Sequence, residues 1–260
     1  MLKRLVGVVT VKDGWAVQSI GYHRYLPLGR PEIIVENFDR WQVDEVVLLV
    51  IDRTRAGAGP DFALLERIAE RRIMSPLTYA GGVRTADDAV AVVKAGADRI
   101  AADAVYRSDP LAARAIADAI GRQASIRICP AHIGENGQAY AFDYLSRQSV
   151  GPLADAVARH QESFSELFLV DWRNEGGLAA FDPRLVACLG GSAMQIIAFG
   201  GISTKAQVAE LMAVDTISAV AIGNSLAYRE LASRQLLDAT DVDRAREISF
   251  GERTRGARQW

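Results

Sequence analysis

The sequence is poor in the residues on which small secreted domains and metal-binding domains depend. It contains two cysteines and three histidines among 260 residues. Cys129 and Cys188 are isolated, and no cysteine–histidine set has the spacing of zinc ligands. The sequence therefore predicts neither a disulfide framework nor a metal site, and we expect no cofactor. This cysteine usage favours a reducing cytoplasm.

The sequence also lacks a large excess of charge and any long apolar run. Thirty basic and 32 acidic residues give a formal charge of −2, so no overall basic field exists to hold nucleic acid or an anionic membrane. No uninterrupted apolar stretch reaches the ~20 residues that a membrane-spanning helix needs. The apolar run Leu5–Val11 is too short for a signal peptide, because Lys12, Asp13 and Gly14 follow at once. We therefore expect a soluble intracellular enzyme with no nucleic-acid or membrane partner.

What the sequence does contain is a regular alternation of short apolar runs and amphipathic segments. Most of the runs are continuously apolar, as is typical of parallel strands covered by helices. Eight strands are predicted: Leu5–Val11, Glu45–Ile51, Leu77–Ala80, Arg99–Ala102, Ser125–Cys129, Glu166–Val170, Gln195–Phe199 and Ala219–Ile222. The Asn136-Gly137 pair within Ile133–Phe142 predicts a small hairpin inserted after the fifth strand.

Helix-like segments separate the strands, and several follow a capping residue such as Thr85 or Asp109. The predicted helices are Pro31–Gln42, Phe62–Arg71, Ala86–Ala95, Pro110–Ile120, Pro152–His160, Pro183–Leu189, Lys205–Met212 and one after Ala227. Eight strand–helix units in this length favour the α/β class, as one (β/α)8 TIM barrel rather than a doubly wound sheet. We expect the barrel to span residues 1–245, followed by a C-terminal tail at 246–260.

The two halves of the chain resemble each other. The segment Leu77–Thr85 is similar to Ile196–Thr204, and their paired glycines Gly81 and Gly200 lie 119 residues apart. Glu45 and Glu166 begin similar strands 121 residues apart. This near-constant offset predicts two similar half-barrels. The alternative is that any two strand–helix units look alike.

Glycine pairs and small-residue helix starts at matched spacing predict two phosphate sites at the barrel mouth. Backbone N–H groups beside glycine and at a helix start can bind an anion. The candidate residues are Gly81, Gly82 and Ala104 in the first half, and Gly200, Gly201, Gly223, Asn224 and Ser225 in the second. Asp103 argues against the first site, because it brings a negative charge to the place of the anion. The alternative is that the glycines serve only to reverse the chain.

Four further side chains at or beyond strand ends are candidate catalytic residues. Asp52 and Asp171 follow the second and sixth strands, Glu175 lies in the sixth loop, and His132 lies two residues beyond the fifth strand. Carboxylates and histidine at the carboxyl ends of barrel strands can transfer protons. The alternative is that each acid stabilises a turn or a helix start and that His132 makes one loop hydrogen bond.

Several motifs together resemble a known family. Arg4, Val11-Lys12-Asp13-Gly14, Asp44-Glu45, Ala80-Gly81-Gly82, Gly96-Ala97-Asp98-Arg99 and Gly200-Gly201 are similar to the cyclase subunit of imidazole glycerol phosphate synthase, the HisF family. The resemblance covers almost the whole chain. It implies a duplicated barrel that binds a substrate with two phosphates. It also implies that ammonia arrives through the barrel centre from a docked class I glutaminase.

The resemblance assigns an ammonia gate to four charged residues, Arg4, Glu45, Arg99 and Glu166. Each lies at the first residue of a strand or just before it, and two half-barrels would make them an alternating ring. Arg99 stands where the family has lysine. Asp98 matches a residue that the family uses at the glutaminase interface. The alternative is that these charges only flank the strands at a solvated barrel end.

The chemical centre departs from the family. Thr10 and Pro130 stand where the family has its two catalytic aspartates, Gln18 replaces a lysine, and Glu175-Gly176-Gly177 replaces Asp-Gly-Thr. Neither threonine nor proline can relay protons as a carboxylate does. The stretch His23–Pro31 resembles a branch that acts in surface-polysaccharide biosynthesis. We therefore expect a synthase subunit acting on a phosphate-bearing sugar nucleotide. Imidazole glycerol phosphate synthesis and a catalytically inactive binding protein are the alternatives.

Overall fold

A computed structural model describes residues 2–191 and 194–227, and within them eight parallel strands close into a barrel. The strands of the chain, in order, are β1 (Arg4–Lys12), β2 (Trp15–Ile20), β3 (Arg24–Gly29), β4 (Glu45–Val50), β5 (Leu77–Ala80), β6 (Arg99–Ala102), β7 (Ser125–Ile133), β8 (Ala139–Asp143), β9 (Gln148–Pro152), β10 (Glu166–Asp171), β11 (Gln195–Phe199) and β12 (Ile217–Ile222). The barrel order is β1-β4-β5-β6-β7-β10-β11-β12, and β12 pairs with β1 to close it. The predicted (β/α)8 TIM barrel is therefore confirmed.

Helices follow the barrel strands on the outside. They are α1 (Pro31–Arg40), α2 (Phe62–Ala69), α3 (Ala86–Lys94), α4 (Ala104–Ser108), α5 (Pro110–Ile120), α6 (Leu153–Ala158), α7 (Arg184–Ala187), α8 (Lys205–Met212) and α9 (Asn224–Ala227). Local chemistry fixes the helix starts: Thr85 and Asp88 form a reciprocal capping box at α3, and Asp109 accepts from the Ala112 N–H at α5. None of the helices in the described ranges is long and apolar enough to cross a membrane.

Two apolar layers hold the barrel together. One lies between strands and helices, where Phe38, Leu48 and Ile116 are fully buried. The other fills the interior of the barrel with mostly small or branched side chains, among them Val6, Val47, Ala101, Ile126, Phe168, Ile197 and Ala219. Because successive strand residues face opposite sides, the continuously apolar strands serve both layers at once.

The structure differs from the expected elements at two loops. The predicted hairpin after the fifth barrel strand exists, but β7 runs on to Ile133 and a third antiparallel strand, β9, extends it. A second hairpin, β2–β3, fills the first loop and was not predicted. The Asp13-Gly14 turn leads from β1 into β2 and has positive φ at both residues, as a type I′ hairpin turn requires. The predicted helix after Ala227 and the tail at 246–260 lie outside the described residues.

Candidate functional site

Four charged side chains form a closed ring at the N-terminal end of the barrel. We call Arg4, Glu45, Arg99 and Glu166 the charged ring. Arg4 contacts Glu45 at 2.9 Å and also pairs with Glu166, while Arg99 lies 2.6 Å from Glu166 and 3.6 Å from Glu45. Acids and bases therefore alternate around the barrel axis, and each side chain contacts two of opposite charge. The structure brings all four residues together at one level of the barrel.

Two hydroxyl groups hold the acids of the charged ring in place. Thr78 donates to Glu45 Oε1 at 2.5 Å, and Ser218 donates to Glu166 Oε1 at 2.5 Å. Burial raises the pKa of Glu166, but Arg4, the Ser218 hydroxyl and Arg99 outweigh burial and lower it below its ordinary value. Glu166 is therefore ionised at neutral pH, and the ring is a salt-bridge network rather than a set of independent surface charges.

Above the charged ring the barrel interior is apolar up to the mouth. The inward-facing side chains of the next two levels include Val6 and Phe168, then Val8 and Leu49, all buried. Small side chains such as Ala101, Ala219 and Ala221 belong to the same cluster. Two cavities at the mouth have their floors on this cluster, since Leu49 and Ile128 line one and Phe199 and Ala221 line the other.

The larger cavity, of about 690 Å³, gathers the predicted second-half phosphate residues. We call it the glycine-rich cavity; it is lined by Gly200, Gly201, Gly223, Asn224 and Ser225, together with Gln18, Glu175, Gly176, Gly177 and Lys205. The backbone here could approach an anion closely, because five of these residues are glycines. Asn224, however, uses its side chain elsewhere: its Nδ2 donates to the Ser19 carbonyl at 2.5 Å.

The smaller cavity, of about 240 Å³, contains the predicted first-half residues Gly81, Gly82 and Ala104. We call it the aromatic cavity, since Tyr22, Tyr25, Phe142, Tyr144 and Trp172 line it with Lys12, Asp52, Arg55, Asp103, Pro130 and Arg147. The Phe142 and Trp172 rings stack at 4.0 Å. The two sets of predicted phosphate-binding residues thus lie in separate cavities, one rich in glycine and the other rich in aromatic side chains.

The paired glycines have a steric reason that is independent of any ligand. A Cβ on Gly200 would lie 2.5 Å from the Asp171 carbonyl oxygen, and one on Gly81 would lie 2.5 Å from the Val50 carbonyl oxygen. Both turns therefore pack against the end of the preceding barrel strand in the same way. This repeated contact is direct structural support for two similar half-barrels.

Two of the candidate catalytic acids hold loops. Asp171 is buried and its Oδ2 accepts from Asn174 Nδ2 at 2.8 Å and from the Asp182 N–H at 2.9 Å. Glu175 Oε2 accepts from the Ser19 hydroxyl at 2.9 Å and from the Tyr22 N–H at 3.2 Å, which fastens the β2–β3 hairpin to the sixth loop. Burial raises the pKa of both carboxyl groups. Only Glu175 of the two lines a mouth cavity.

Asp52 and Asp103 both line the aromatic cavity, and each has one buried oxygen without a hydrogen bond from the described residues. Asp52 Oδ2 accepts from the Asp13 N–H at 2.7 Å, but its Oδ1 is buried without a hydrogen bond from the described residues. Asp103 Oδ2 is likewise buried and unbonded within that part of the chain, and Arg107 approaches it no closer than 3.9 Å. Burial raises the pKa of Asp103 to about 7. From the sequence, Asp103 was predicted only to oppose phosphate binding in the first half.

His132 was expected just beyond the fifth barrel strand. It lies within that strand, β7, because the strand continues to Ile133. Trp172 Nε1 donates to His132 Nδ1 at 3.2 Å, and Nε2 faces the Ser149 hydroxyl at 3.3 Å. Burial, followed by the charge of Arg173, lowers the pKa of the ring. His132 is thus a neutral, buried ring with both nitrogens engaged, and it lines neither mouth cavity.

The positions of the family's two aspartates are both at the mouth. Thr10 is buried near the end of β1, and Pro130 lines the aromatic cavity on β7. Asp52 follows β4, which pairs with β1, and Asp103 follows β6, which pairs with β7. Each replaced position therefore has a carboxylate on the neighbouring barrel strand. Alternation of inward-facing residues could have signalled Asp103, since it continues the series Arg99, Ala101.

Comparisons with known proteins agree with this geometry. A family model described as "Histidine biosynthesis protein" matches residues 4–232. Imidazole glycerol phosphate synthase subunit HisF of Exiguobacterium sibiricum is 27% identical over 251 residues, covering 94% of this chain and 99% of the relative. The HisF subunits of Hyphomonas neptunium and Acidobacterium capsulatum are 30% and 31% identical, covering 85% and 81% of this chain and 88% and 84% of theirs. The chain therefore belongs to the histidine biosynthesis protein family, as a divergent member of its HisF branch.

Proposed function

We propose that this protein is the synthase subunit of a glutamine-dependent amidotransferase. Ammonia crosses the charged ring, moves through the apolar interior and reaches an acceptor at the mouth. The observation that carries the proposal is the closed ring of Arg4, Glu45, Arg99 and Glu166 below a wholly apolar cluster. A buried ion-pair network at this place is not needed for stability, since apolar residues of similar size do as well.

The source of ammonia is a class I glutaminase that docks on the N-terminal end of the barrel. Leu2 and Met74 support this surface, because they are 94% and 88% exposed and precede the barrel strands β1 and β5 at that end. Large exposed apolar side chains at the same end of the barrel support a protein-binding surface there. The relatives are described as imidazole glycerol phosphate synthase subunits, a description that implies a second subunit.

The acceptor carries phosphate and is a sugar nucleotide. The phosphate binds in the glycine-rich cavity, where Gly200, Gly201 and Gly223 allow the backbone to approach it closely. The aromatic cavity supports the rest of the acceptor, because aromatic walls with a few polar groups are typical of small-molecule sites. We assign catalysis to the carboxylates at the mouth, with Asp52 the strongest of the predicted residues. The setting is the cytoplasm, where surface-polysaccharide precursors are assembled.

The second candidate function is imidazole glycerol phosphate synthesis in histidine biosynthesis. The descriptions of the relatives favour it, at 27% to 31% identity. Thr10 and Pro130 oppose it, because neither side chain can act as the acid or base that the reaction requires. Complementation of a cyclase-deficient histidine auxotroph separates the two: we expect no growth, and growth would reject the sugar-nucleotide acceptor.

The ammonia route is tested by mixing the chain with a HisH-type glutaminase from the same genome. We expect a stable complex and faster glutamine hydrolysis than with the glutaminase alone. Glu45→Gln should keep the complex but change this stimulation, since it breaks two contacts of the charged ring. Glu32→Gln is the matched control, because Glu32 is also buried and paired with an arginine but lies on α1 outside the barrel. Absence of both complex and stimulation would reject the proposal.

A further inference from the structure

We propose that the aromatic cavity binds a hydrogen-bond-donating ring substituent of the acceptor through Asp103, and that Asp103 excludes phosphate from it. This inference rests on the proposed function and specifies its acceptor. A single phosphate group would then occupy the glycine-rich cavity, while a hydroxyl or amino group of a sugar ring would lie in the aromatic cavity. The first-half residues Gly81, Gly82 and Ala104 accordingly contact a phosphate-free part of the acceptor.

The main observation is the state of the Asp103 side chain. It is 8% exposed, lines the cavity and receives no hydrogen bond from the described residues. A buried carboxylate oxygen without a donor is unfavourable. Native structures rarely tolerate such a group unless a water, an ion or a ligand supplies the missing partner. Above its pKa of about 7 the group is a carboxylate, which only accepts, so the missing partner in that state is a donor.

The cation nearest to Asp103 is shared with a second acid. Arg107 Nη2 lies 2.9 Å from Asp143 and 3.9 Å from Asp103, so its short contact is with the other acid. Asp143 also accepts from the Leu145 N–H and the Ser146 hydroxyl, and it stands outside both cavities. Of the two acids that share this arginine, Asp103 is the one that lines the aromatic cavity.

The second acid of the cavity has a hydrogen-bond donor that Asp103 lacks among the described residues. Asp52 Oδ1 is buried without a hydrogen bond within the described part of the chain, and Oδ2 is fixed by the Asp13 N–H. For Asp103, burial outweighs the opposing charges of Arg107 and Arg127 and raises the pKa. Once Asp103 is ionised, its negative charge disfavours a phosphate dianion in the cavity.

The walls of the cavity suit a sugar ring. Tyr22, Tyr144 and Trp172 offer apolar faces, and Arg55 is already used by the Tyr144 carbonyl at 2.7 Å. A ring can pack on these faces while its polar substituents reach the carboxylates. Arg147 and Lys12 also line the cavity, so its cations would be able to hold a phosphate once the charge of Asp103 is removed.

Phosphate binding tests the exclusion directly. Inorganic phosphate is titrated at pH 8 into the full chain and into Asp103→Asn and Asp118→Asn, with calorimetry counting the sites. We expect Asp103→Asn to bind one more phosphate per chain than the wild type, because the isosteric amide removes the charge. Asp118→Asn should match the wild type, because Asp118 is exposed on α5 and lines neither cavity. An unchanged count in Asp103→Asn, or the same gain in Asp118→Asn, would overturn the exclusion.

Sugar binding tests the donor, with glucosamine and glucose as probes in saturation-transfer NMR. We expect Asp103→Ala to weaken binding of at least one sugar by tenfold or more, and Asp118→Ala, on the outer helix α5, to leave it unchanged. A loss for glucosamine alone identifies an amino donor, and an equal loss for both sugars identifies a hydroxyl. No binding to the wild type, or binding unaffected by Asp103→Ala, would overturn the assignment. These results are independent of glutaminase stimulation, whose failure would reject the proposed function alone.

Discussion

Asp103→Asn should raise the free energy of unfolding relative to the wild type, and this gain should grow as the pH rises from acidic to neutral values. Burial raises the pKa of this carboxyl from 3.8 to about 7. Because the folded state binds the proton more tightly than the unfolded chain, wild-type stability falls as the pH rises from 3.8 to 7 and stays low above it. Asparagine has nearly the same shape but cannot ionise. The variant therefore lacks this loss.

The size of the effect follows from the same two pKa values. Each pKa difference of one corresponds to 1.36 kcal/mol, so the whole shift amounts to about 4 kcal/mol. Between pH 5 and pH 8, the gain of Asp103→Asn over the wild type should grow by about 3 kcal/mol. The side chain is 8% exposed, so solvent screening reduces this figure only slightly.

Urea unfolding at pH 5, 6, 7 and 8 measures the effect. The difference in the free energy of unfolding between variant and wild type is plotted against pH. Asp118→Asn is the control, because Asp118 is 64% exposed and its substitution should give a flat difference. A difference for Asp103→Asn that stays flat from pH 5 to 8 would refute the claim that Asp103 is an unsatisfied buried acid. A variant that is less stable than the wild type at pH 8 would refute it as well.

Three further predictions concern the glycine turns, the charged ring and the first loop. Gly200→Ala should lower the free energy of unfolding by about 2 kcal/mol or more, because the new Cβ is forced against the Asp171 carbonyl and the residue has a strained positive φ. Gly121→Ala, also at positive φ but with open space around its Cβ, should cost only about 1 kcal/mol in the same urea assay. Glu45→Gln should destabilise by about 1–3 kcal/mol, since it leaves buried arginine contacts uncompensated, and thermal melting beside Glu32→Gln checks this. Glu175→Gln should speed proteolysis of the β2–β3 hairpin more than that of the rest of the barrel, because one hairpin anchor is weakened; equal cleavage rates would contradict this.

The barrel could be predicted from the sequence because its signals are local and repeated. Leu77–Ala80, Arg99–Ala102 and Gln195–Phe199 begin and end where the apolar runs do. Strands β2 and β3 were missed although Asp13-Gly14, the turn between β1 and β2, is a strong hairpin signal, because both strands are short and partly polar. Strand β7 was predicted to end at Cys129, but it continues through Pro130 to Ile133. Pro130 lines the aromatic cavity at the mouth.

The candidate site was harder to predict than the barrel, for a physical reason. The members of the charged ring could be named in advance because the resemblance to the HisF family assigned them, and each lies at or just before a strand start. Asp103 and Asp171 look alike in the sequence, each an acid at the end of a strand. They differ only because Asn174 and the Asp182 backbone satisfy one, while the cation near the other is held by Asp143. Such competition for partners depends on side-chain packing.

The β2–β3 hairpin gives the two mouth cavities a common wall. Gln18 faces the glycine-rich cavity, Tyr22 and Tyr25 face the aromatic one, and Glu175 and Asn224 fasten the hairpin between them. A ligand that shifts the hairpin from one side changes the shape of the other side at the same time. Occupancy of the two cavities is then thermodynamically linked, and by reciprocity each end of an acceptor alters the affinity for the other by the same factor.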